Sequence, residues 1–187
     1  AALALRQAKR RAALLIALAD LGGVWNLEEV TGALSDFADH AVKVAFDASL
    51  AVEKTGPLAN MTVEEAGLVV LAMGKGGAKE LTYSSDIDLI LLFDDERYDA
   101  LAAVRPRWTK VAQRAVKTLS EVTAAGYVFR VDLRLRPNPS VTSPCMPISA
   151  AERYYESMGR TWERSAFIKA RAAAGDLATR RQLQEAM

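Results

Sequence analysis

The stretch Ala72-Met-Gly-Lys-Gly-Gly-Ala-Lys-Glu-Leu-Thr-Tyr-Ser-Ser-Asp-Ile-Asp-Leu-Ile-Leu-Leu-Phe93 decides how this chain is read. Asp86 and Asp88 lie two residues apart, with Ile87 between them and an apolar run after them. On a strand, residues i and i+2 share a face. The two carboxylates therefore project together, while Ile87 and Leu89 turn to the core. Like charges held that close repel, so folding alone does not favour the pair. A divalent cation does favour it. Just upstream, Gly74, Lys75, Gly76 and Gly77 make a Gly-rich turn whose backbone amides can approach an anion such as phosphate. Paired carboxylates beside such a turn point to metal-assisted phosphoryl or nucleotidyl transfer. The plainer readings are a solvated strand end and a tight turn, and the glycines lack the spacing of a P-loop. Ser84 and Ser85 either donate hydrogen bonds to phosphate or only cap the turn.

Outward from this stretch the pattern alternates between helix and strand. Residues 3 to 20 have helical spacing, with a stop at Leu21-Gly22-Gly23. Asn26 and Glu29 have the spacing of a capping box. It opens a helix to about residue 53, on which Leu34, Phe37, Ala41, Val44 and Ala45 recur at three- and four-residue steps. Thr55-Gly56-Pro57 breaks it. Gly67 to Met73 and Asp86 to Phe93 read as buried strands, with Asp94, Asp95 and Glu96 as a solvated loop after them. Tyr98 to Thr123 reads as a long helix containing Pro106, and Gly126 ends that segment. Tyr127 to Leu135 alternates as a third strand, and residues 137 to 144 form a loop. Ser149 and Glu152 suggest a second capping box, with helices to about residue 174 interrupted near Gly159. The sum is an α/β (α+β) fold: a mixed sheet with flanking helices, an N-terminal helical segment over 1–60 and a core over 61–187.

The third strand carries the second part of the constellation. Alternation puts Arg130, Asp132, Arg134 and Arg136 on one face and Phe129, Val131, Leu133 and Leu135 on the other. Asp132 completes a carboxylate trio with Asp86 and Asp88, able to hold two Mg²⁺ ions that bridge phosphates. Arg134 and Arg136 suit bidentate contacts to phosphate. The alternative for Asp132 is an ion pair with a neighbouring arginine.

Bulk properties narrow the class. At 187 residues with a net charge of +1, the chain can bury a full core and gives no reason to expect a nucleic-acid or membrane partner. Its one cysteine, Cys145, excludes an internal disulfide and has no His or Cys at zinc-ligand spacing. No apolar run is long enough to span a bilayer and no signal peptide is legible, so a cytoplasmic location is expected. Ala1 at the start and the helix-like Gln182-Leu-Gln-Glu-Ala-Met187 at the end suggest a piece of a longer protein.

A Gly turn followed after about ten residues by Asp-hydrophobic-Asp-hydrophobic resembles the signature of the DNA-polymerase-β-like nucleotidyltransferases. The longer string from Met73 to Ile90 resembles, more specifically, the glutamine-synthetase adenylyltransferase family, whose members also remove the adenylyl group. Phe129-Arg-Val-Asp-Leu-Arg-Leu-Arg-Pro137 resembles the same family, as does Tyr154-Tyr-Glu-Ser-Met-Gly-Arg-Thr-Trp-Glu-Arg-Ser-Ala-Phe-Ile-Lys-Ala-Arg171. Lys75 departs from the wider superfamily, where Gly or Ser is usual, and matches the narrower family. The resemblance implies that Asp86, Asp88 and Asp132 hold Mg²⁺, that ATP, ADP or AMP and phosphate are bound, and that glutamine synthetase is the protein substrate. It also implies that the helix carrying Trp162, Glu163, Arg164, Lys169 and Arg171 closes over the nucleotide. Ser84-Ser85-Asp-Ile-Asp and Trp162-Glu-Arg look more like the N-terminal, adenylyl-removing half of the family than the C-terminal, adenylylating half. A catalytically silent nucleotide-sensing module is a reading from another class. In a third, residues 1–54 mainly dock a regulator such as the PII signalling protein.

Overall fold

The computed structural model describes residues 1–176, so the helix-like stretch at 182–187 lies outside the described residues. In chain order the elements are α1 (Ala2–Leu21), α2 (Leu27–Leu50), β1 (Leu68–Ala72), the one-turn α3 (Gly74–Gly77) and β2 (Ile87–Phe93). A 3₁₀ turn (Asp95–Arg97) leads to α4 (Leu101–Ser120), β3 (Val131–Asp132) and β4 (Cys145–Pro147). Then come α5 (Ile148–Ser157), α6 (Thr161–Ala166), a second 3₁₀ turn (Phe167–Lys169) and β5 (Arg171–Gly175).

The strands form one mixed sheet in the order β3-β2-β1-β5. β1 runs antiparallel to both β2 and β5. β2 runs parallel to β3 at Ile87 and Asp88, and to β4 from Leu91 to Phe93. Helices cover both faces. Leu68, Val70 and Ala72 of β1 join Leu89, Leu91 and Phe93 of β2 against Ala41, Val42 and Phe46 of α2 and Trp108 and Ala112 of α4. Phe93 stacks on Trp108 with ring centroids 5.9 Å apart. The alternate residues Val69, Leu71, Ile90 and Leu92 pack on the other side with Met146, Ala151 and Ala172, flanked by Tyr155 and Phe167. Strands covered on both faces need no polar alternation, which is why β1 and β2 read as continuous apolar runs. Each large side chain removed from water there contributes roughly 1.5–3 kcal/mol.

The capping box of α2 forms as its spacing predicts: Asn26 Oδ1 accepts from the Glu29 N–H at 3.0 Å, and Glu29 Oε2 accepts from the Asn26 N–H at 2.7 Å. α2 sits in the same hydrophobic cluster as the sheet, so a cut near residue 60 would strip that cluster of one wall. α1 packs across α2 and leaves Leu14, Leu15, Leu18 and Leu21 exposed. Among the described residues no helix is long and apolar enough to cross a membrane.

Four local expectations are corrected. The long helix runs Leu101–Ser120, shorter at both ends than Tyr98 to Thr123, with Pro106 inside it. The third strand keeps only Val131–Asp132 in the ladder. The chain turns there because Asp132 Oδ1 accepts the Arg134 N–H at 2.7 Å, an Asx turn that competes with strand pairing. Ser149 does not cap a helix from outside; it lies within α5. Asp95 takes the Ser149 N–H at 3.1 Å and its hydroxyl at 2.6 Å, so α5 is capped by a carboxylate distant in sequence. Residues 171–175 are a strand rather than helix. The edge of β1 recruits them, and Gly175 fits because its backbone lies against Leu68 O, where an added Cβ would stand 1.9 Å away.

Candidate active site

Sheet register gathers the acidic residues. Asp88 and Asp132 are direct partners across the parallel β2–β3 pair, so their side chains leave the sheet on one face. Asp86 immediately precedes β2, where the Ile87 N–H donates to Arg130 O at 2.9 Å. This is the face that, further along β2, carries Ile90 and Leu92 under α5. Past the end of that cover, the acidic end of the strand opens to solvent: Asp86 is exposed, and Asp88 and Asp132 are half-buried.

The three carboxylates meet different surroundings. Arg130 binds Asp86 through Nε and donates from Nη2 to Ser84 O at 2.7 Å. Arg134 embraces Asp132, with Nε 2.8 Å from Oδ2 and 3.1 Å from Oδ1. That hydrogen bonding holds the Asp132 carboxyl below the ordinary aspartate range. Asp88 has no hydrogen bond or ion pair to its side chain among the described residues. Its pKa is raised, first by burial and then by the negative charges of Asp132 and Asp86, against a partial offset from Arg134.

A divalent cation suits this donor set: three all-oxygen ligands, of which the central one lacks a counter-charge and feels two like charges. Three His, Cys, Asp or Glu side chains do not yet converge on one point among the described residues. Arg130 and Arg134 supply the positive charge at Asp86 and Asp132, so full three-carboxylate ligation requires those guanidinium groups to yield. Asp132 thus shows, in this state, the ion pair that was its alternative reading.

The Gly turn lies beside Asp88. Gly74 has φ of +52°, and a Cβ added there would stand 3.2 Å from Asp88 Oδ2. Gly77 packs so closely that a Cβ would meet Lys169 O at 1.8 Å. The Lys75 side chain is exposed. Ser85 caps the turn, its Oγ accepting from the Thr82 N–H at 3.0 Å, and Ser84 offers its carbonyl to Arg130. Arg136 is drawn into the following loop, donating to Leu133 O at 2.7 Å and Pro139 O at 2.8 Å. Arg134 is the arginine of the pair that stays at the acidic cluster.

The segment expected to close over a nucleotide is broken into α6, a 3₁₀ turn and β5, so Trp162 and Lys169 share no helix face. Trp162 lines an open cavity of about 360 Å³ together with Arg134, Tyr154, Arg160 and the buried Glu163. Arg164 donates to Tyr155 O at 3.0 Å, and Lys169 pairs with Glu80 at 2.8 Å. Sequence reasoning missed three polar residues of α2. Ser35 Oγ accepts the Leu81 N–H at 3.3 Å, Asp36 pairs with Lys79 at 2.7 Å, and Asp39 pairs with Arg171. The available signal was a set of polar residues beside the apolar stripe of a core helix.

Comparison with known proteins shows the family. The sequence profile of the glutamate-ammonia ligase adenylyltransferase family matches residues 1–186. The chain is 52% identical over 181 residues to the bifunctional glutamine synthetase adenylyltransferase/adenylyl-removing enzyme of Bradyrhizobium sp. (strain BTAi1), covering 93% of this chain and 18% of that protein. To the enzyme of the same name from Xanthobacter autotrophicus it is 50% identical over 185 residues, 95% of this chain and 19% of that protein. To that of Caulobacter vibrioides it is 47% identical over 181 residues, 93% and 18% respectively. The chain thus spans a little under one fifth of the length of these curated relatives. An acidic face on a mixed sheet, a glycine turn against it and a family match along almost the whole chain agree: this chain belongs to the glutamate-ammonia ligase adenylyltransferase family.

Proposed function

We propose that this chain is an Mg²⁺-dependent nucleotidyltransferase domain that acts on glutamine synthetase, removing AMP from its adenylylated tyrosine by phosphorolysis and releasing ADP. The observation that carries the reading is the Asp88–Asp132 register pair with Asp86 beside it, on an open face touched by the Gly74 turn. The names of the relatives, which include adenylyl removal, support the reaction class. Ser84-Ser85-Asp-Ile-Asp and Trp162-Glu-Arg support the removing half.

In this reaction an oxygen of inorganic phosphate attacks the α-phosphorus of the tyrosyl-AMP ester. The bond from phosphorus to the phenolic oxygen breaks, tyrosine takes up a proton, and ADP departs. Asp86, Asp88 and Asp132 would hold Mg²⁺, in two ions by the number of carboxylates, which would offset charge on the phosphate oxygens. The Gly turn and Lys75 bring backbone and cationic groups to the incoming phosphate. Arg134, 86% exposed where it pairs with Asp132, would exchange that carboxylate for the phosphate oxygens when phosphate binds. The open face suits a protein substrate that must present a tyrosine. Under the same proposal the full-length enzyme works in the cytoplasm, and residues 1–54 are the segment on which a regulator of the PII type would dock.

The test is to incubate the protein with adenylylated glutamine synthetase, Mg²⁺ and phosphate and to measure ADP. ADP from the wild type and none from Asp86→Ala/Asp88→Ala supports the proposal. AMP incorporation from ATP into unmodified glutamine synthetase, without ADP release in the first assay, would assign the opposite half. Inactivity of a folded protein in both assays would favour a nucleotide-binding module.

A further inference from the structure

We infer that Arg171, seated by Asp39, is a positioning residue that holds the glycine turn against Asp88 and so sets the strength of nucleotide and phosphate binding; this rests on the functional reading above. Arg171 opens β5, on the far side of β1 from the acidic residues. Its guanidinium faces two ways. Toward α2, Nη1 donates to Asp39 Oδ2 at 2.6 Å and Nη2 to Asp39 Oδ1 at 3.0 Å, a bidentate pair. Toward the turn, Nη2 donates to Gly76 O at 3.0 Å and Nε to Gly77 O at 3.3 Å. Both side chains are about four-fifths buried, at 19% and 22% exposure, which strengthens these bonds relative to a surface pair.

Arg171 is the centre of a wider grip. Asp36–Lys79 and Glu80–Lys169 tie the two sides of the loop after the turn to α2 and to the segment before β5. Ser35 holds Leu81 from α2. The backbone of Gly77 lies flat on that of Lys169, with no room for a Cβ. The loop between β1 and β2 is therefore fastened on its back by α2 and β5, while its front, at Gly74, contacts Asp88. The planar guanidinium makes these four hydrogen bonds at once from three nitrogens; an ammonium has three donors on a single nitrogen and cannot match that geometry. Displacement of the turn by about 1 Å is enough to cost roughly 10²-fold where geometry controls reactivity.

The test compares wild type, Arg171→Lys, and the charge-swapped Asp39→Arg/Arg171→Asp. Two readouts are taken: amide hydrogen exchange over residues 73–81, and calorimetric binding of ADP with Mg²⁺. The expected result is about tenfold faster exchange in both variants and at least tenfold weaker ADP binding, with thermal unfolding still cooperative. The swap restores the ion pair but places at 171 a group that donates nothing to Gly76 and Gly77. Wild-type behaviour of the swap would overturn the inference, because the ion pair alone would then suffice. ADP binding by the wild type that both variants retain would also overturn it, leaving the parent reading intact. No ADP binding by the wild type would overturn the parent reading and this inference with it, while the exchange data would still report the clamp.

Discussion

Asp88 and Asp132 stand opposite each other across two parallel strands, one carboxylate bare and the other held by Arg134. The asymmetry has an energetic consequence. Burial and two neighbouring carboxylates disfavour the ionised form of Asp88, so its charge weakens the metal-free fold. Asp88→Asn keeps the shape and removes the repulsion. Its melting temperature without metal should equal or exceed that of the wild type, while ADP formation should fall by roughly 10²–10³-fold, the scale of losing one preorganised electrostatic contact. Calorimetric melting beside a steady-state assay checks both, and a large loss of stability would mean that Asp88 is a structural residue.

The glycines of the chain divide sharply in what they tolerate. Gly77→Ala would drive a Cβ into Lys169 O and Ala72 O. It should cost about 3 kcal/mol or more and abolish activity. Gly32→Ala, on α2 with open space around it, should stabilise by about 0.5–1 kcal/mol through helix propensity. Urea titration of both variants gives the comparison.

Glu53 supplies a pH-dependent brace far from the acidic face. Its carboxylate is 4% exposed and is bound by Arg114 and, at 3.0 Å, by Arg107. Burial pushes its pKa up, but the hydrogen bonds from Arg114 and Arg107 outweigh burial and leave it lowered. A lowered folded-state pKa contributes stability that is present above the ordinary glutamate value of about 4.3 and is lost as pH falls through the folded value. Glu53→Gln should therefore be less stable than wild type by roughly 1–2 kcal/mol at neutral pH, discounted because both arginines are partly exposed. The gap should narrow as pH falls below the ordinary glutamate value of about 4.3. Denaturation curves at pH 3.5, 5 and 7 test the sign.

The parts legible in the sequence were those whose cause is local. The apolar runs of β1 and β2, the Asp86–Asp88 alternation and the Asn26–Glu29 box each follow from residues a few positions apart. The parts that were not legible depend on partners distant in the chain. Ala172, Ala173 and Ala174 have helical propensity, yet the free edge of β1 makes them a strand. Ser149 carries a capping signal of its own, but Asp95 already serves that helix end. The sequence marks Asp132 as a candidate site residue, while its Asx turn, which takes Arg136 away from the acidic face, was not legible. The Asp39–Arg171 clamp joins residues 132 positions apart: the polar side of α2 hinted at Asp39, but nothing local named its partner.

The most direct test of the central claim is a Mn²⁺ titration in the presence of ADP, followed by electron paramagnetic resonance, on wild type and Asp88→Asn. Mn²⁺ stands in for Mg²⁺ as a hard cation of oxygen sites. The account predicts bound Mn²⁺ in the wild type and at least tenfold weaker binding in a folded Asp88→Asn. Equal Mn²⁺ binding by the two proteins would contradict it.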